Sequence, residues 1–226
     1  MQSTGKYTNP AHTLDRVTVL KQTTHILHLL TILRDLTTET STFATVVHQI
    51  SREVITTALD HIPFENAVIK TPVGGTFGGV SPAKGVCGVS ILRAGASMEN
   101  VLRESWLGKL SFGKILIQRD EETCLPQLFY SKFPPRMADD IVLLLEPMLA
   151  TGGSIMKAVD VLLDKGVSQE NIVLVNILAS RKGLDIVAEK FPGLKIVTAA
   201  VDEELTPSNC ISPGLGDFGD RYYGTC

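Results

Sequence analysis

Residues 143–154 read Leu-Leu-Leu-Glu-Pro-Met-Leu-Ala-Thr-Gly-Gly-Ser, a set of residue types suited to a phosphorylated sugar. An apolar strand runs into a carboxylate, Glu146, then into a small-residue turn and the start of an amphipathic helix. Small and hydroxyl-bearing turn residues let backbone N–H groups converge on an anion, and the helix N-terminus adds positive potential. Glu146 cannot share that phosphate; a carboxylate there suits sugar hydroxyls or a nearby metal. An ordinary capped strand-to-helix connection requires neither the Gly152-Gly153 pair nor the acid, so phosphate binding is the more economical reading. A Walker-type loop fits poorly, because no lysine directly follows the glycines and Lys157 falls inside the helix.

Two other segments carry chemistry. Residues 90–97, Ser-Ile-Leu-Arg-Ala-Gly-Ala-Ser, end a predicted strand. The Arg93 guanidinium beside the small turn Ala94-Gly95 could hold a diphosphate bidentately, against the plainer reading of a solvated loop arginine. Near the C-terminus, Gly214-Leu215-Gly216-Asp217-Phe218-Gly219 matches G-x-G-x-x-G, but only seven residues follow Gly219, too few for a dinucleotide fold. Its Asp-Phe-Gly has no His-Arg-Asp loop to make a protein kinase. What remains is a loop exposing backbone to something flat and small, or a purely structural terminus. A pyrimidine suits it: backbone N–H groups meet the two carbonyl oxygens of uracil, and a backbone C=O accepts from N3–H. Cytosine would reverse two of those polarities, costing roughly 1–3 kcal/mol for each group left unpaired.

These motifs resemble the uracil phosphoribosyltransferases, within the type I phosphoribosyltransferases that use phosphoribosyl diphosphate (PRPP). The resemblance rests on residues 147–154 and on 211–222, Ile-Ser-Pro-Gly-Leu-Gly-Asp-Phe-Gly-Asp-Arg-Tyr, and extends over most of the chain from near Thr31. It implies an Mg²⁺-dependent pentosyl transfer, uracil plus PRPP giving UMP and pyrophosphate, in pyrimidine salvage. It places Ala150, Thr151, Gly152, Gly153 and Ser154 on the 5′-phosphate and Glu146 on the ribose. Arg93, Ala94, Gly95 and Arg119 fall on the diphosphate. Ala150, Cys210, Ile211, Gly216, Asp217 and Phe218 surround uracil, with the backbone of Ile211 and Gly216 reading the base. Asp217 then stands at the reacting centre, meeting PRPP-bound Mg²⁺ through water, with Arg93 and Arg119 neutralising the leaving group. By the same resemblance the protein is a homodimer or homotetramer, and GTP is a candidate activator, as in some relatives.

The sequence departs from the family in places. Glu146 stands where Asp is usual, Cys210 where Tyr is common, and Ser212 replaces an aliphatic residue. These departures leave room for a catalytically weak homologue that senses PRPP or UMP as a regulator. A transferase for another base suits the terminal loop less well.

The bulk of the chain says what must position these groups. Its 226 residues allow one core with an appended lobe, and 44% apolar content is that of a globular protein. A net charge of −3 argues against nucleic acid as a partner. Neither a membrane-spanning run nor a signal-peptide core is evident, so the expected place is the cytoplasm. The four cysteines, Cys87, Cys124, Cys210 and Cys226, form no C-x-x-C pair and read as reduced thiols, not a zinc site. The five histidines, His12, His25, His28, His48 and His61, adjoin no motif and receive no metal or catalytic role.

Residues 1–65 read as a helical N-terminal segment. Phe43, Val46, Val47, Ile50 and Val54 fall at helical spacing, with Ser41 or Thr42 as cap. Leu14, Val17, Leu20, Leu27 and Leu30 suggest an earlier helix weakened by threonines. Residues 74–79 are expected to form a turn-rich connection. From Val86 the pattern becomes strands near 86–92, 114–118, 141–145, 172–178 and 195–201. Helices fall at 155–165, stopped by Gly166, and at 184–191, stopped by Pro192-Gly193. The expected fold is α/β: a parallel central sheet over 86–201 flanked by helices. A protruding β arm over 119–136 reads as a surface hairpin or a site flap, and 202–226 form a base-binding hood loop. Ligands in such sheets bind beyond the carboxyl ends of strands, placing the loops after Leu92, Gln118 and Leu145 on one rim.

Overall fold

A computed structural model describes residues 16–119 and 126–225. The chain enters through a short strand, β1 (Val17–Val19), and two helices, α1 (Thr24–Arg34) and α2 (Thr40–Leu59). A hairpin of β2 (Phe64–Lys70) and β3 (Thr76–Pro82) leads to β4 (Val86–Leu92), helix α3 (Glu99–Ser105), β5 (Leu110–Arg119) and β6 (Pro126–Lys132). Then come β7 (Ile141–Leu145), the two-residue β8 (Met148–Leu149), α4 (Gly153–Asp164), β9 (Ile172–Ser180), α5 (Arg181–Lys190) and β10 (Lys195–Asp202). A small ribbon of β11 (Glu204–Leu205) and β12 (Ile211–Ser212) and the short helix α6 (Phe218–Tyr223) close the chain.

The central sheet runs in the order β1-β10-β9-β7-β4-β5-β6, with β8 extending along β9. Its pairings are parallel except for β6, which lies antiparallel on β5. Every residue of β7 and β9 is buried, because helices cover both faces. Alternate side chains divide between two cores. Leu143 and Leu145 join Val46, Ile50, Val54 and Leu102 from α2 and α3. Val142 and Leu144 join Ile155, Val159, Leu184 and Val187 from α4 and α5.

This order places a topological switch between β4 and β7. From β4 the chain crosses to β5 on one side, yet β7 lies on its other side and continues outward to β9 and β10. The loops leaving β4 and β7 therefore diverge and open a crevice beyond their carboxyl ends. That crevice is where the Arg93 loop and the Glu146 turn meet.

Several local expectations are corrected. Val17 does not lie in a helix: the β-branched Val-Thr-Val run pairs with Ile196, Val197 and Thr198 as an edge strand. Helix α1 starts later, capped by the Thr23 hydroxyl, which accepts from the Ile26 N–H at 3.3 Å. Neither Ser41 nor Thr42 caps α2, which begins at Thr40 with Glu39 at the cap position. Residues 74–79 are only partly a turn, since Thr76 to Gly79 belong to β3. The ribbon β2–β3 escaped notice because most of its residues are exposed, leaving no alternation imposed by a core. Within the expected arm, β6 is an added edge strand of the central sheet. Residues 120–125, with Cys124, lie outside the described residues, as do His12, Leu14 and Cys226. Among the described residues no helix is long and apolar enough to cross a membrane.

Candidate active site

The rim of the β4–β7 crevice is built by close backbone approach. Gly95 lies against the end of β7, where a Cβ would sit 2.1 Å from the Leu145 carbonyl oxygen, so no larger residue fits. Arg93, two residues earlier, leaves β4 with its side chain 58% exposed at the crevice. The Ser97 hydroxyl ties the turn by donating to the Ala94 carbonyl at 2.7 Å.

Glu146 follows directly from β7 and is buried, 8% exposed. Its backbone is locked: the N–H donates to the Val175 carbonyl at 3.2 Å, and its own carbonyl accepts from Asn176 Nδ2 at 2.9 Å. The carboxylate accepts from the Met148 N–H at 3.2 Å. That bond does not offset desolvation, and burial pushes the carboxyl up to about 8. At neutral pH Glu146 is a buried neutral acid, with an O–H to give and oxygens to accept, the pattern that a vicinal diol meets.

The turn after β8 is shaped for an anion. Gly152 adopts φ +82°, a left-handed conformation that side chains avoid, and starts α4 without any capping side chain. The first N–H groups of α4 thus lack the usual Ser, Thr or Asp cap and point toward the rim with the positive end of the helix dipole. The turn is held from below by Ser180 at the end of β9. Its hydroxyl donates to the Ala150 carbonyl at 2.5 Å and accepts from the Gly183 N–H at 2.9 Å. Pro126 at the start of β6 comes to 3.6 Å of a Cβ built on Gly153, so the arm strand begins beside this turn. Arg119 pairs with Pro126 across the ladder, which puts its backbone at the same place; its side chain lies outside the described residues.

The C-terminal loop closes the rim. Cys210 lies exposed directly before β12, its N–H donating to Thr206 Oγ1 at 3.1 Å. Ile211 is buried, while Gly216 and Asp217 are exposed. Asp217 caps α6, its Oδ1 accepting from the Asp220 N–H at 2.9 Å. Phe218 enters the core instead of lying open to a base: its ring, 3% exposed, meets Phe43 edge-on at 5.6 Å and stacks on Tyr222 at 5.8 Å. Any contact of Phe218 with a base is left to its backbone. The structure therefore gathers the Arg93 loop, Glu146, the 150–154 turn and the Asp217 loop on one rim.

The family model described as uracil phosphoribosyltransferase matches residues 19–225. The chain belongs to the uracil phosphoribosyltransferase family. It is 46% identical over 217 residues to uracil phosphoribosyltransferase 2 of Schizosaccharomyces pombe, covering 96% of this chain and 99% of that protein. It is also 46% identical over 211 residues to uracil phosphoribosyltransferase of Dictyostelium discoideum, covering 93% and 97%. The solved structure of the AQ2163 protein from Aquifex aeolicus superposes with a TM-score of 0.80 at 29% identity, covering 92% and 97%.

In this uracil phosphoribosyltransferase chain, four residues around the rim were not singled out in the sequence, and three of them, Arg34, Asp202 and Tyr223, had no signal there. Arg34 on α1 forms a bidentate pair with Asp202 at the end of β10, both contacts at 2.8 Å. Together they clamp Gly214: Asp202 Oδ2 accepts its N–H at 2.9 Å, and Arg34 donates to its carbonyl at 2.8 Å. Ser180 supports the 150–154 turn, and Tyr223 donates to the Arg93 carbonyl at 3.1 Å. Ser180 alone had a readable cue, a serine between a strand and a helix, which predicts a cap.

Proposed function

We propose that this chain transfers the 5-phosphoribosyl group of PRPP to uracil, releasing UMP and pyrophosphate in pyrimidine salvage. The observation that carries this reading is the uncapped α4 N-terminus beyond the carboxyl ends of the parallel strands, beside the sheet's switch point. In the reaction the bond from the ribose anomeric carbon to the diphosphate oxygen breaks. A bond to uracil N1 forms, and the N1 proton is lost. Positive charge develops on the ribose and negative charge on the diphosphate, so positioning and charge stabilisation do most of the work.

The roles follow from placement. The N–H groups of 151–154 hold the 5′-phosphate, and Thr151 and Ser154 add hydroxyls. Glu146 meets the ribose hydroxyls, its extra methylene compared with Asp letting the acid reach out from a buried strand end. Arg93 and Arg119 neutralise the diphosphate. Backbone groups of Ile211 and Gly216 read uracil, with Ala150 and Cys210 alongside. Asp217 Oδ2 makes no hydrogen bond among the described residues, which leaves it for the reacting centre.

Mg²⁺ fits this donor set as a guest of the substrate. Among the described residues no group of three or more His, Cys, Asp or Glu side chains could hold a metal ion. Mg²⁺ commonly binds through one or two carboxylates plus substrate phosphates and water, and exposed Asp217 suits that pattern. When bound it supplies charge neutralisation on the diphosphate and a template for the ribose.

Self-association belongs to the same reading. The β2–β3 ribbon presents Val68 at 76%, Phe77 at 59% and Val80 at 65% exposure, on a two-stranded element that is marginal by itself. A homodimer or homotetramer would cover it. Activation by GTP and a cytoplasmic setting complete the proposal. The test is base selectivity: turnover with uracil should exceed that with cytosine, orotate and hypoxanthine by at least a hundredfold. Equal rates with another base would overturn the assignment of the terminal loop.

A further inference from the structure

Helix α6 grips Arg93 at both ends of the residue. The Tyr223 hydroxyl donates to the Arg93 carbonyl at 3.1 Å, while its ring lies 5.7 Å from the guanidinium carbon. Asp220 Oδ1 stands 3.4 Å from Arg93 Nη2. Asp220 is itself fixed, accepting from Thr225 Oγ1 at 2.6 Å on that same oxygen and donating its N–H to Asp217 Oδ1 at 2.9 Å. A continuous set of contacts therefore runs from the Asp217 loop to the loop after β4.

The magnitudes say what each contact does. The ion pair is long, and its side chains are 58% and 38% exposed, so it adds little stability. It does set a direction for a guanidinium that would otherwise sample many rotamers. One long contact also leaves most of the five N–H donors of Arg93 for a bidentate anion. The Tyr223 hydroxyl acts on the main chain instead, fixing the carbonyl from which the Ala94-Gly95 turn departs. A side chain ordered before its ligand arrives loses less entropy on binding.

We propose that Tyr223 and Asp220 are positioning residues that set Arg93 for the diphosphate, so that the C-terminal helix and the diphosphate loop work as one unit. This rests on the reading of Arg93 given above. The contact joins two segments far apart in sequence, one reading the base and the other the leaving group. Neither Tyr223 nor Asp220 needs to touch the substrate.

Steady-state kinetics with uracil and PRPP test this in Tyr223→Phe, Asp220→Asn, Arg93→Ala and the double variant Tyr223→Phe/Arg93→Ala, alongside thermal unfolding. Tyr223→Phe keeps the ring and removes one hydrogen bond. It should raise the KM for PRPP about fivefold while the KM for uracil and the Tm stay close to the parent. Asp220→Asn, which keeps an acceptor oxygen, should shift the same parameter by a smaller factor. In the Arg93→Ala background Tyr223→Phe should add only a smaller factor, because the carbonyl it holds remains but the guanidinium it sets is gone. An unchanged KM for PRPP in Tyr223→Phe, or a full effect persisting without Arg93, would overturn the proposal while leaving Arg93 on the diphosphate. An unchanged KM for PRPP in Arg93→Ala would overturn the reading of Arg93 itself, and this proposal with it.

Discussion

Replacing Glu146 with Gln makes a sharp physical test of the strand-end acid. The folded protein holds this carboxyl at about 8 because burial disfavours the anion, against an ordinary value of 4.5. Folded molecules thus keep a proton that unfolded ones release between those two pH values. The raised carboxyl leaves stability undiminished below pH 4.5, and stability falls as pH rises toward 8. The linkage slope for one such proton is about 1.4 kcal/mol per pH unit. From pH 5 to pH 8 the parent should lose about 3.5 kcal/mol, the slope flattening near each end, that Glu146→Gln, which has no proton to lose, retains. Urea unfolding of both proteins at pH 5, 6, 7 and 8 measures the difference directly. The two curves should lie close together at pH 5 and separate steadily, with Glu146→Gln the more stable at pH 8. Parallel pH profiles would refute the reasoning, showing that Glu146 is already ionised in the fold.

Three other outcomes follow from the site. Thr151→Ala should mainly raise the KM for PRPP by about three- to tenfold, and an unchanged PRPP titration would contradict the phosphate assignment. Asp217→Asn should cut kcat at least a hundredfold with a Tm within about 3 °C of the parent; near-normal turnover would remove Asp217 from the mechanism. Arg34→Met strands the buried Asp202 carboxylate beside Gly214, so unfolding free energy should fall by about 2–4 kcal/mol. The KM for uracil should rise more than that for PRPP. Denaturant curves matching the parent would show that the clamp does not hold the base loop.

How much could be read from sequence depended on whether a constraint was local. The strand 141–145 is a continuous apolar run, and 86–92 is nearly one, broken by Ser90, because helices cover both faces of the sheet, and such runs need no tertiary knowledge to see. The 150–154 turn was legible for a related reason: glycines at a strand-to-helix junction report a backbone requirement, and Gly152 does adopt a positive φ. Val17 misled because its spacing to Leu20 and Leu27 mimics a helical period, whereas its partners lie at 196–198, far along the chain. Arg34 and Asp202 illustrate the same limit. An arginine at a helix end and an acid at a strand end are each unremarkable until the fold brings them to 2.8 Å. Phe218 sits within a glycine-rich loop motif, but a large ring beside α2 gains more from burial against Phe43 than from exposure at the rim.

The central claim is tested most directly by mixing purified protein with uracil, PRPP and Mg²⁺, with and without GTP, and following UMP and pyrophosphate together. Phosphoribosyl transfer predicts the two products in equal amounts, rising with protein concentration and abolished by omitting uracil. Saturable binding of PRPP or UMP with neither product formed would contradict it and make this chain a sensor built on a transferase fold.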